Sequence, residues 1–288
     1  MVINITRVFP ALLSDKIVIK ALFYFEIGYK LNLKNPKTFN EKLQWVKLHD
    51  RDPIMTKMVD KYEAKQYVAD KIGEEYIIPT LGVWDSFNNI DFEKLPNQFV
   101  LKTTHDSGGV VIVKDKSNLD IKEAREIVVK SMKYDFYQKF KEWPYKNVTR
   151  RVIAEKYMED ESGELRDYKF FCFNGKVKAL YIATDRFKKE EDTKFDFFDE
   201  NFNHLPFTNG YPNATRPIKR PGSFEKMKEL SEVLSKDLRH LRVDLYEING
   251  NIYFGELTFT HLSGLIPFNP IEWDYKFGEW IKLPNFAR

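Results

Sequence analysis

Two acidic residues interrupt otherwise apolar, strand-like runs near the C-terminal end of the chain. Asp244 lies in Arg242-Val-Asp-Leu, and Glu256 lies in Phe254-Gly-Glu-Leu-Thr-Phe-Thr. On facing strands of one hairpin, their carboxylates could converge on Mg²⁺, which prefers oxygen ligands and bridges phosphates. Arg242, two residues before Asp244, would point to the same face of its strand. A row of charges on a solvated strand face would give the same pattern, so both interpretations stay open here.

A second candidate is Phe99–Val113, where two apolar, β-branched runs flank a polar loop. This pattern predicts a β-hairpin with a long, mobile tip. Lys102 ends the first run, and its ammonium group could bind a phosphate. In the loop, Ser107, Gly108 and Gly109 would let backbone N–H groups approach the same anion. An ordinary hairpin with a solvated lysine is the alternative, because glycine-rich loops are weak signals alone.

Further charged residues could contact a nucleotide. Glu155 ends a predicted strand, and Asp167 and Lys169 follow across the next loop. Acids here could hold a ribose hydroxyl and Lys169 a phosphate, although each could equally be a surface charge. Five His and one Cys form no convincing metal cluster and no Ser-His-Asp arrangement. His105 and His261 lie in loops near the proposed chemistry.

Composition describes an ordinary globular protein. The 288 residues are 43% hydrophobic and 31% charged, which suits one large domain or two modest ones. The net charge of +3 is too small to indicate nucleic-acid binding. The single cysteine, Cys172, excludes an intrachain disulfide and fits a reducing compartment. No segment approaches the roughly 20 apolar residues of a membrane span. The N-terminus lacks the apolar region of a signal peptide, so we expect a cytoplasmic protein.

Periodicity and turn signals predict the elements that must position these residues. A helical pattern covers about Ile17–Leu31, and Thr38 with Glu41 predicts a capping box at the start of the next helix. One further charged helix is predicted over Ile54–Lys71. A short strand at Tyr76–Pro79 should then precede the hairpin.

After the hairpin, the pattern predicts mainly strands. An amphipathic helix at Asp120–Tyr134 is followed by a solvated stretch at Lys139–Thr149. Asn174-Gly175 and Asn249-Gly250 are strong hairpin turns. The predicted strands are Val152–Tyr157, Asp167–Phe173, Val177–Thr184, Lys194–Phe198, Leu241–Ile248 and Ile252–Leu257. The other segments are a loop at residues 201–223, a helix at Phe224–Asp237 and an irregular tail at Phe259–Arg288. Strands that come as hairpins indicate an α+β domain with antiparallel sheets.

Taken in chain order, the charged residues resemble the ATP-grasp superfamily. The ordered set is Asp60-Lys61, Val100-Leu-Lys102, Glu155, Asp167, Lys169, Arg242-Val-Asp244 and Glu256. Three longer strings are similar to its TupA-like branch, which is associated with bacterial capsule and teichuronopeptide synthesis and is often labelled glycosyltransferase. The strings are Asn35-Pro-Lys-Thr-Phe-Asn-Glu-Lys42, Asp167-Tyr-Lys-Phe-Phe-Cys-Phe-Asn-Gly175 and Phe254-Gly-Glu-Leu-Thr-Phe259. The similarity extends over about residues 30–284.

The resemblance implies an ATP-grasp fold of class α+β. Two α+β subdomains with mainly antiparallel sheets would follow a short helical N-terminal segment. Residues 1–75 would contain that segment and the start of the ATP-grasp region, and residues 76–155 the subdomain with the phosphate-covering hairpin. Residues 156–288 would form the subdomain with the metal site and the C-terminal tail.

The resemblance also implies which residues bind ATP. Lys61 and Lys102 would contact its phosphates, and the loop at residues 104–110 would close over them. Residues 155–158 would form the adenine-binding linker, and Asp167 would lie near the ribose. The full implied set is Lys61, Lys102, His105, Ser107, Gly108, Gly109, Glu155, Lys156, Tyr157, Met158, Asp167 and Lys169.

Catalytic and metal-binding roles follow in the same way. The implied catalytic residues are Lys102, Lys169 and Arg242, and the implied metal ligands are Asp244, Glu256 and Thr258. Arg242 would stabilise the transferring phosphoryl group or a tetrahedral oxyanion. Many ATP-grasp enzymes carry Asn where this chain has Thr258, but a hydroxyl can still ligate Mg²⁺.

The implied cofactors are ATP and Mg²⁺, and the implied reaction joins a carboxylate to an amine through an acyl phosphate. The TupA-like resemblance implies a uronic-acid carboxyl of a surface polysaccharide, or of its precursor, and an amino acid as the amine. Arg150-Arg151 and Lys219-Arg220 could hold an acidic sugar, unless they are solvated loop charges. A glycosyltransferase, in which the lysines would lack a role, and a non-catalytic nucleotide-binding factor remain as alternatives.

Overall fold

The computed structural model of the chain describes residues 13–159, 165–185 and 193–284. The expectations for residues 1–12, for part of the loop at residues 158–166 and for the last four residues of the tail lie outside the described residues.

The described residues form eight α-helices and twelve β-strands. The helices are α1 Asp15–Ile27, α2 Phe39–His49, α3 Ile54–Val59, α4 Glu63–Ile72, α5 Ile121–Met132, α6 Phe136–Phe140, α7 Phe224–Leu234 and α8 Glu272–Trp280. The strands are β1 Thr80–Trp84, β2 Phe99–Thr103, β3 Val110–Val113, β4 Val152–Lys156, β5 Asp167–Phe173, β6 Lys176–Thr184, β7 Lys194–Asp199, β8 His204–Leu205, β9 Thr208–Asn209, β10 His240–Ile248, β11 Asn251–Thr258 and β12 Phe268–Asn269. In the parts of the chain that the structure describes, no helix is long and apolar enough to cross a membrane.

A four-stranded antiparallel sheet has the strand order β1–β4–β2–β3. The predicted hairpin is confirmed as β2 and β3, whose register pairs Lys102 with Val110. One face buries apolar side chains such as Leu101 against α5. Because side chains alternate along a strand, Lys102 points to the opposite face, as does Glu155, which pairs with Val100.

A six-stranded antiparallel sheet has the order β11–β10–β5–β6–β7–β8. Both predicted Asn-Gly turns are confirmed, with Asn174-Gly175 between β5 and β6 and Asn249-Gly250 between β10 and β11. All four turn residues have positive φ, the conformation that two-residue hairpin turns of this kind require. One face of the sheet packs on α3, α4 and α7 in the main apolar core, where Phe170 and Met227 are fully buried.

The opposite face of the six-stranded sheet carries an aromatic cluster at one end. Phe39 of α2, Phe171 of β5 and Phe277 of α8 are fully buried, with ring centroids between 5.4 and 6.2 Å apart. The predicted capping box of α2 is confirmed, because the Thr38 hydroxyl accepts from the Glu41 backbone N–H and the Glu41 carboxylate accepts from the Thr38 backbone N–H. This cluster therefore fixes α2 and α8 on the sheet.

The prediction of an irregular C-terminal tail is wrong, because α8 forms there. Trp273, Phe277 and Trp280 recur four and three residues apart, which places them on one helical face that packs into the aromatic cluster. Gly278 lies against the backbone at Lys37 too closely to admit a larger residue. The glycine that reads as a helix breaker in the sequence is thus a packing requirement.

The single helix predicted over Ile54–Lys71 is also wrong, because it is broken between α3 and α4. The Asp60 carboxylate accepts the backbone N–H groups of Tyr62 and Glu63 at 2.8 and 3.3 Å. The N–H of Lys61 donates instead to Thr104 O of the hairpin at 3.1 Å. A side-chain acceptor thus starts a new helix, and a distant partner takes the intervening backbone group.

Two smaller predictions fail as well. The strand expected at Tyr76–Pro79 is a 3₁₀ turn at Glu74–Tyr76, and the strand begins at Thr80. The stretch predicted to be solvated, Lys139–Thr149, contains the buried Lys141 and Glu142. The predicted domain boundaries stay a prediction.

Candidate functional site

Lys102 and Glu155 form an ion pair on one face of the four-stranded sheet. Their closest N–O distance is 2.5 Å, and Lys65 of α4 pairs with the other carboxylate oxygen of Glu155, also at 2.5 Å. Burial would raise the pKa of Glu155, but the two ammonium groups hold it below its ordinary value. This lysine–glutamate cluster, formed by Lys65, Lys102 and Glu155, therefore carries one surplus positive charge.

The sequence analysis does not identify Lys65 as a site residue. It lies four residues after Lys61, one turn along the helix that was predicted there. Its ammonium group also donates to Ile78 O at 2.7 Å and to Thr80 Oγ1 at 2.9 Å. Burial lowers the pKa of Lys65, and Glu155 opposes that shift.

A second charged cluster lies on the six-stranded sheet. Lys169 of β5 forms ion pairs with Asp167, at 2.5 Å, and with Asp244 of the neighbouring β10. Burial would lower the pKa of Lys169, but the two carboxylates raise it above its ordinary value. Lys169 is therefore held as a cation between two acids.

Arg242 completes this cluster from the same face of β10. Its Nε and Nη2 donate to the two oxygens of Asp244 at 2.7 and 2.8 Å, and Nη2 also donates to Thr258 Oγ1 at 3.0 Å. Burial would raise the pKa of Asp244, but Arg242 and Lys169 hold it below its ordinary value. We call Asp167, Lys169, Arg242 and Asp244 the arginine–aspartate cluster.

His261 contacts the far side of the Arg242 guanidinium group. Nη1 of Arg242 lies 3.0 Å from His261 Nδ1, and because arginine only donates, Nδ1 must be the unprotonated nitrogen. Nε2 of His261 then carries the proton and donates to Asn209 Oδ1 at 2.9 Å, while Asn209 Nδ2 donates to Ile266 O and Pro267 O. Burial, with Arg242 adding to it, holds the pKa of His261 well below its ordinary value. A neutral imidazole of fixed tautomer thus orients Arg242.

Lys61 connects the two sheets. In the break between α3 and α4, its backbone N–H donates to Thr104 O of the hairpin at 3.1 Å. Its ammonium group donates to Asp106 O and lies 3.4 Å from Glu256 Oε1 on β11. The non-helical backbone at Lys61 therefore brings the hairpin and the acidic end of β11 together.

Glu256 is the carboxylate with the most room for a metal ion. Both Asp244 oxygens already accept from cations, and Thr258 accepts from Arg242. The side chain of Glu256, in contrast, is 26% exposed, and its cationic neighbours Lys61 and Arg242 lie 3.4 and 3.8 Å away. Among the described residues, no three His, Cys, Asp or Glu side chains are grouped to hold a metal. The donor set fits an Mg²⁺ ion that takes its remaining ligands from phosphate and water.

The hairpin loop is anchored to α5. Asp106 accepts from Thr103 Oγ1 at 2.5 Å and from Ser131 Oγ at 2.6 Å, and Gly109 packs against both hydroxyl-bearing side chains. His105, expected at the nucleotide, is buried with Nε2 3.1 Å from Ser131 O. The structure thus directs His105 toward α5, and only Ser107-Gly108 is exposed at the tip.

The predicted adenine linker continues from Glu155 along the end of β4. Lys156 is exposed, Tyr157 and Met158 are half-buried, and the Tyr157 hydroxyl donates to Glu159 at 2.6 Å. The linker is therefore accessible beside the lysine–glutamate cluster.

The arginines proposed to hold an acidic sugar already have acidic partners. Arg150 donates to Asp135 at 3.2 Å, and Arg151 donates to Glu63 at 2.7 Å. Arg220 contacts a glutamate of α7. The assignment of either basic pair to an acidic sugar stays a prediction.

Comparison with known proteins gives one family match. The family model described as TupA-like ATPgrasp matches residues 41–282. None of the proteins with curated descriptions matches the chain.

Several solved structures are similar at low identity. D-alanine–D-alanine ligase from Helicobacter pylori is 17% identical with a TM-score of 0.40, covering 79% of this chain and 61% of its own. L-amino acid ligase from Bacillus licheniformis is 12% identical with a TM-score of 0.47, covering 86% of this chain and 56% of its own. D-alanine–D-alanine ligase from Bacillus anthracis, complexed with ATP, is 20% identical with a TM-score of 0.38, covering 70% and 55%. This chain thus spans less than two thirds of the length of each of these ligases.

Proposed function

Because the chain belongs to the TupA-like ATP-grasp family, we propose that it is an ATP-dependent ligase that joins a carboxylate to an amine through an acyl phosphate. The family and the α+β fold class expected from the sequence are confirmed, whereas the substrates and the roles of single residues belong to the proposal. The observation that carries it is Lys61, whose ammonium group links the backbone of the hairpin loop at Asp106 to Glu256, a carboxylate with room for a metal ion.

Three lysines would meet the phosphates of ATP. Lys65 and Lys102 share one carboxylate, so the lysine–glutamate cluster has positive charge available for a polyanion. Lys61 lies between the hairpin loop and Glu256, where its ammonium group would contact the phosphates nearest the metal. The exposed Ser107-Gly108 tip would present backbone N–H groups to the same anion.

Glu256, with Asp244 and Thr258, would hold Mg²⁺. Glu256 is the ligand that the structure leaves most accessible, and Asp244 would become available if Lys169 turned toward a phosphate. When bound, the metal supplies positive charge that neutralises the phosphates and polarises the transferring phosphoryl group.

Arg242 would stabilise the charge that develops during the reaction. The substrate carboxylate attacks the γ-phosphorus and ADP leaves; the amine then attacks the acyl carbon and phosphate leaves. The guanidinium of Arg242 is fixed on one side by Asp244 and on the other by His261, so it needs little reorganisation as negative charge builds up. A closed hairpin would keep water from hydrolysing the acyl phosphate.

The proposed substrates are a uronic-acid carboxyl of a bacterial surface polysaccharide, or of its precursor, and an amino acid or other amine. The strings similar to the TupA-like branch support this class. A cytoplasmic location is part of the proposal, because ATP and Mg²⁺ are supplied there and the single cysteine, Cys172, is a buried free thiol.

A screen that crosses uronic acids with amino acids tests the proposal, with ADP release as the readout. We expect ADP only when a carboxylate and an amine are both present, and an amide as the product. Glycoside formation from a nucleotide sugar would reject the ligase assignment, as would the absence of ADP release with every pair.

A further inference from the structure

The segment at residues 130–151 is strongly basic. It contains seven Lys or Arg residues and two acids. One of the acids, Glu142, is buried, and the other, Asp135, is paired with Arg150. Lys146 is exposed and Lys139 is half-buried, so the surface of this segment presents positive charge to solvent.

A row of aromatic rings runs along the same segment. The ring centroids of Tyr134 and Phe136 are 6.4 Å apart, and those of Phe136 and Tyr145 are 4.7 Å apart. Lys139 Nζ lies 5.4 Å from the Tyr134 ring centroid. The three rings are half-buried, unlike the fully buried rings of the aromatic cluster on the six-stranded sheet, so each keeps part of its surface accessible.

Buried hydrogen bonds connect the segment that carries these rings to the loop after β11, beside the candidate site. The carboxylate of Glu142 accepts from the hydroxyl groups of Thr260 and Ser263, in the loop that directly follows β11. Three residues later, Tyr145 packs against the main apolar core, and burial raises the pKa of its hydroxyl well above the ordinary value. The aromatic row therefore ends beside the loop that directly follows β11.

We propose that the face formed by Tyr134, Phe136 and Tyr145, with Lys139 and Lys146, binds an acidic oligosaccharide and leads one of its carboxyl groups to Glu256 and Arg242. We call it the aromatic–basic face. It rests on the proposed function, because it supplies the carboxylate substrate.

The physical reasons are stacking and charge. The apolar C–H faces of sugar rings pack on aromatic rings, whose large flat surfaces contribute much of the binding energy at such contacts. Ammonium groups beside the rings would pair with the carboxylates of successive sugars. The three rings are neighbours and tilted relative to one another, so together they offer more apolar contact area than a single sugar needs and suit several linked sugars.

Calorimetry with the full chain tests the proposal. The probes are short oligomers of galacturonate and of glucuronate. Their methyl esters are the uncharged controls, and the monomers are the controls for length. We expect at least one acidic oligomer to bind. Its methyl ester and its monomer should each bind at least tenfold more weakly than the acidic oligomer. Binding should weaken further as salt is raised.

Two variants assign the binding to the face. Lys139→Gln with Lys146→Gln should weaken oligomer binding at least tenfold, and Tyr134→Ala should do the same. Lys226→Gln, a change at an exposed lysine of α7 that contributes nothing to the face, should leave it unchanged. Mg-ATP binding by each variant, unchanged from the wild type, shows that the fold survives.

Three results would contradict the proposed binding role of the aromatic–basic face. They are binding of neither acidic oligomer, equal affinity for the acidic oligomer and its ester, or an affinity of the double lysine variant equal to that of the wild type. A wild-type protein that binds no Mg-ATP would instead overturn the proposed ligase, so the two failures are distinguishable.

Discussion

The two charged clusters differ in how their charges are balanced. In the lysine–glutamate cluster, two ammonium groups share one buried carboxylate, Glu155. In the arginine–aspartate cluster, Asp167 and Asp244 balance Lys169 and Arg242, and every carboxylate oxygen of Asp244 accepts from a cation. The first cluster has a net positive charge that can attract a polyanion, whereas the charges of the second cluster neutralise one another.

Glu256 is the accessible carboxylate beside the second cluster. It lies across from Asp244 on β11, but its cationic neighbours are 3.4 and 3.8 Å away and a quarter of its side chain is exposed. Two acids that look equivalent in the sequence therefore have different surroundings in the fold. Asp244 orients Arg242, and Glu256 is the better candidate for the metal.

Glu256→Gln should have the largest effect and abolish turnover, because the accessible carboxylate for Mg²⁺ is lost. Since Glu256 is partly exposed, the free energy of unfolding should change by only about 0.5 kcal/mol. Steady-state ADP release and urea unfolding measure the two quantities. Glu229→Gln, an exposed change on α7, is the matched control, and a wild-type rate in Glu256→Gln would contradict the metal assignment.

Asp244→Ala should also abolish ADP release, but with a cost in stability that Glu256→Gln lacks. Buried Arg242 would lose its bidentate partner and Lys169 one of two, which should lower the free energy of unfolding by about 3 kcal/mol. Urea unfolding of both variants gives the comparison. If the two acids proved equally dispensable for stability, the division of tasks between them would be wrong.

Lys102→Ala should weaken Mg-ATP binding by about 10–100-fold, as expected for one hydrogen bond to a charged group. Glu155 would keep Lys65, so the fold should survive. Calorimetry with Mg-ATP is the measurement, and Lys226→Ala on the surface is the control. Unchanged affinity in Lys102→Ala would remove the phosphate role from the lysine–glutamate cluster.

The smallest expected effect is a pH dependence from His261. Its native pKa lies well below the value near 6.5 of the unfolded chain, so between these values the unfolded state binds the extra proton. Stability should therefore fall as pH drops below about 6.5, by up to about 1.4 kcal/mol per pH unit for this group. His261→Gln, which keeps an acceptor for Arg242, should reduce that slope, and exposed His204→Gln should not. Part of the slope should remain, because burial also lowers the pKa of His240, to about 3. A slope that His261→Gln leaves unchanged would contradict the neutral imidazole.

Local features of the fold could be predicted from the sequence. The Asn-Gly turns, the capping box at Thr38 and the hairpin at Phe99–Val113 depend on neighbouring residues, so their signals are readable along the chain. The strands around Asp244 and Glu256 follow from the same alternation. These elements explain why the two acids were recognised as candidates.

The remaining features depend on partners far away in the sequence. The break at Lys61 requires Thr104, and the buried Glu142 requires Thr260 and Ser263. Periodicity predicts a continuous helix around Lys61 and a solvated polar stretch around Glu142. Lys65 was missed for a related reason, because only the folded sheet shows that its ammonium reaches Glu155.

Oxygen-18 placed in the substrate carboxyl tests the central claim most directly. If the two clusters serve acyl-phosphate formation, one labelled oxygen leaves with the phosphoryl group, so the phosphate released in each turnover should carry one ¹⁸O. Mass spectrometry of the phosphate provides the readout, and the same reaction with labelled water is the control. Unlabelled phosphate, with both labelled oxygens retained in the organic product, would contradict the ligase mechanism.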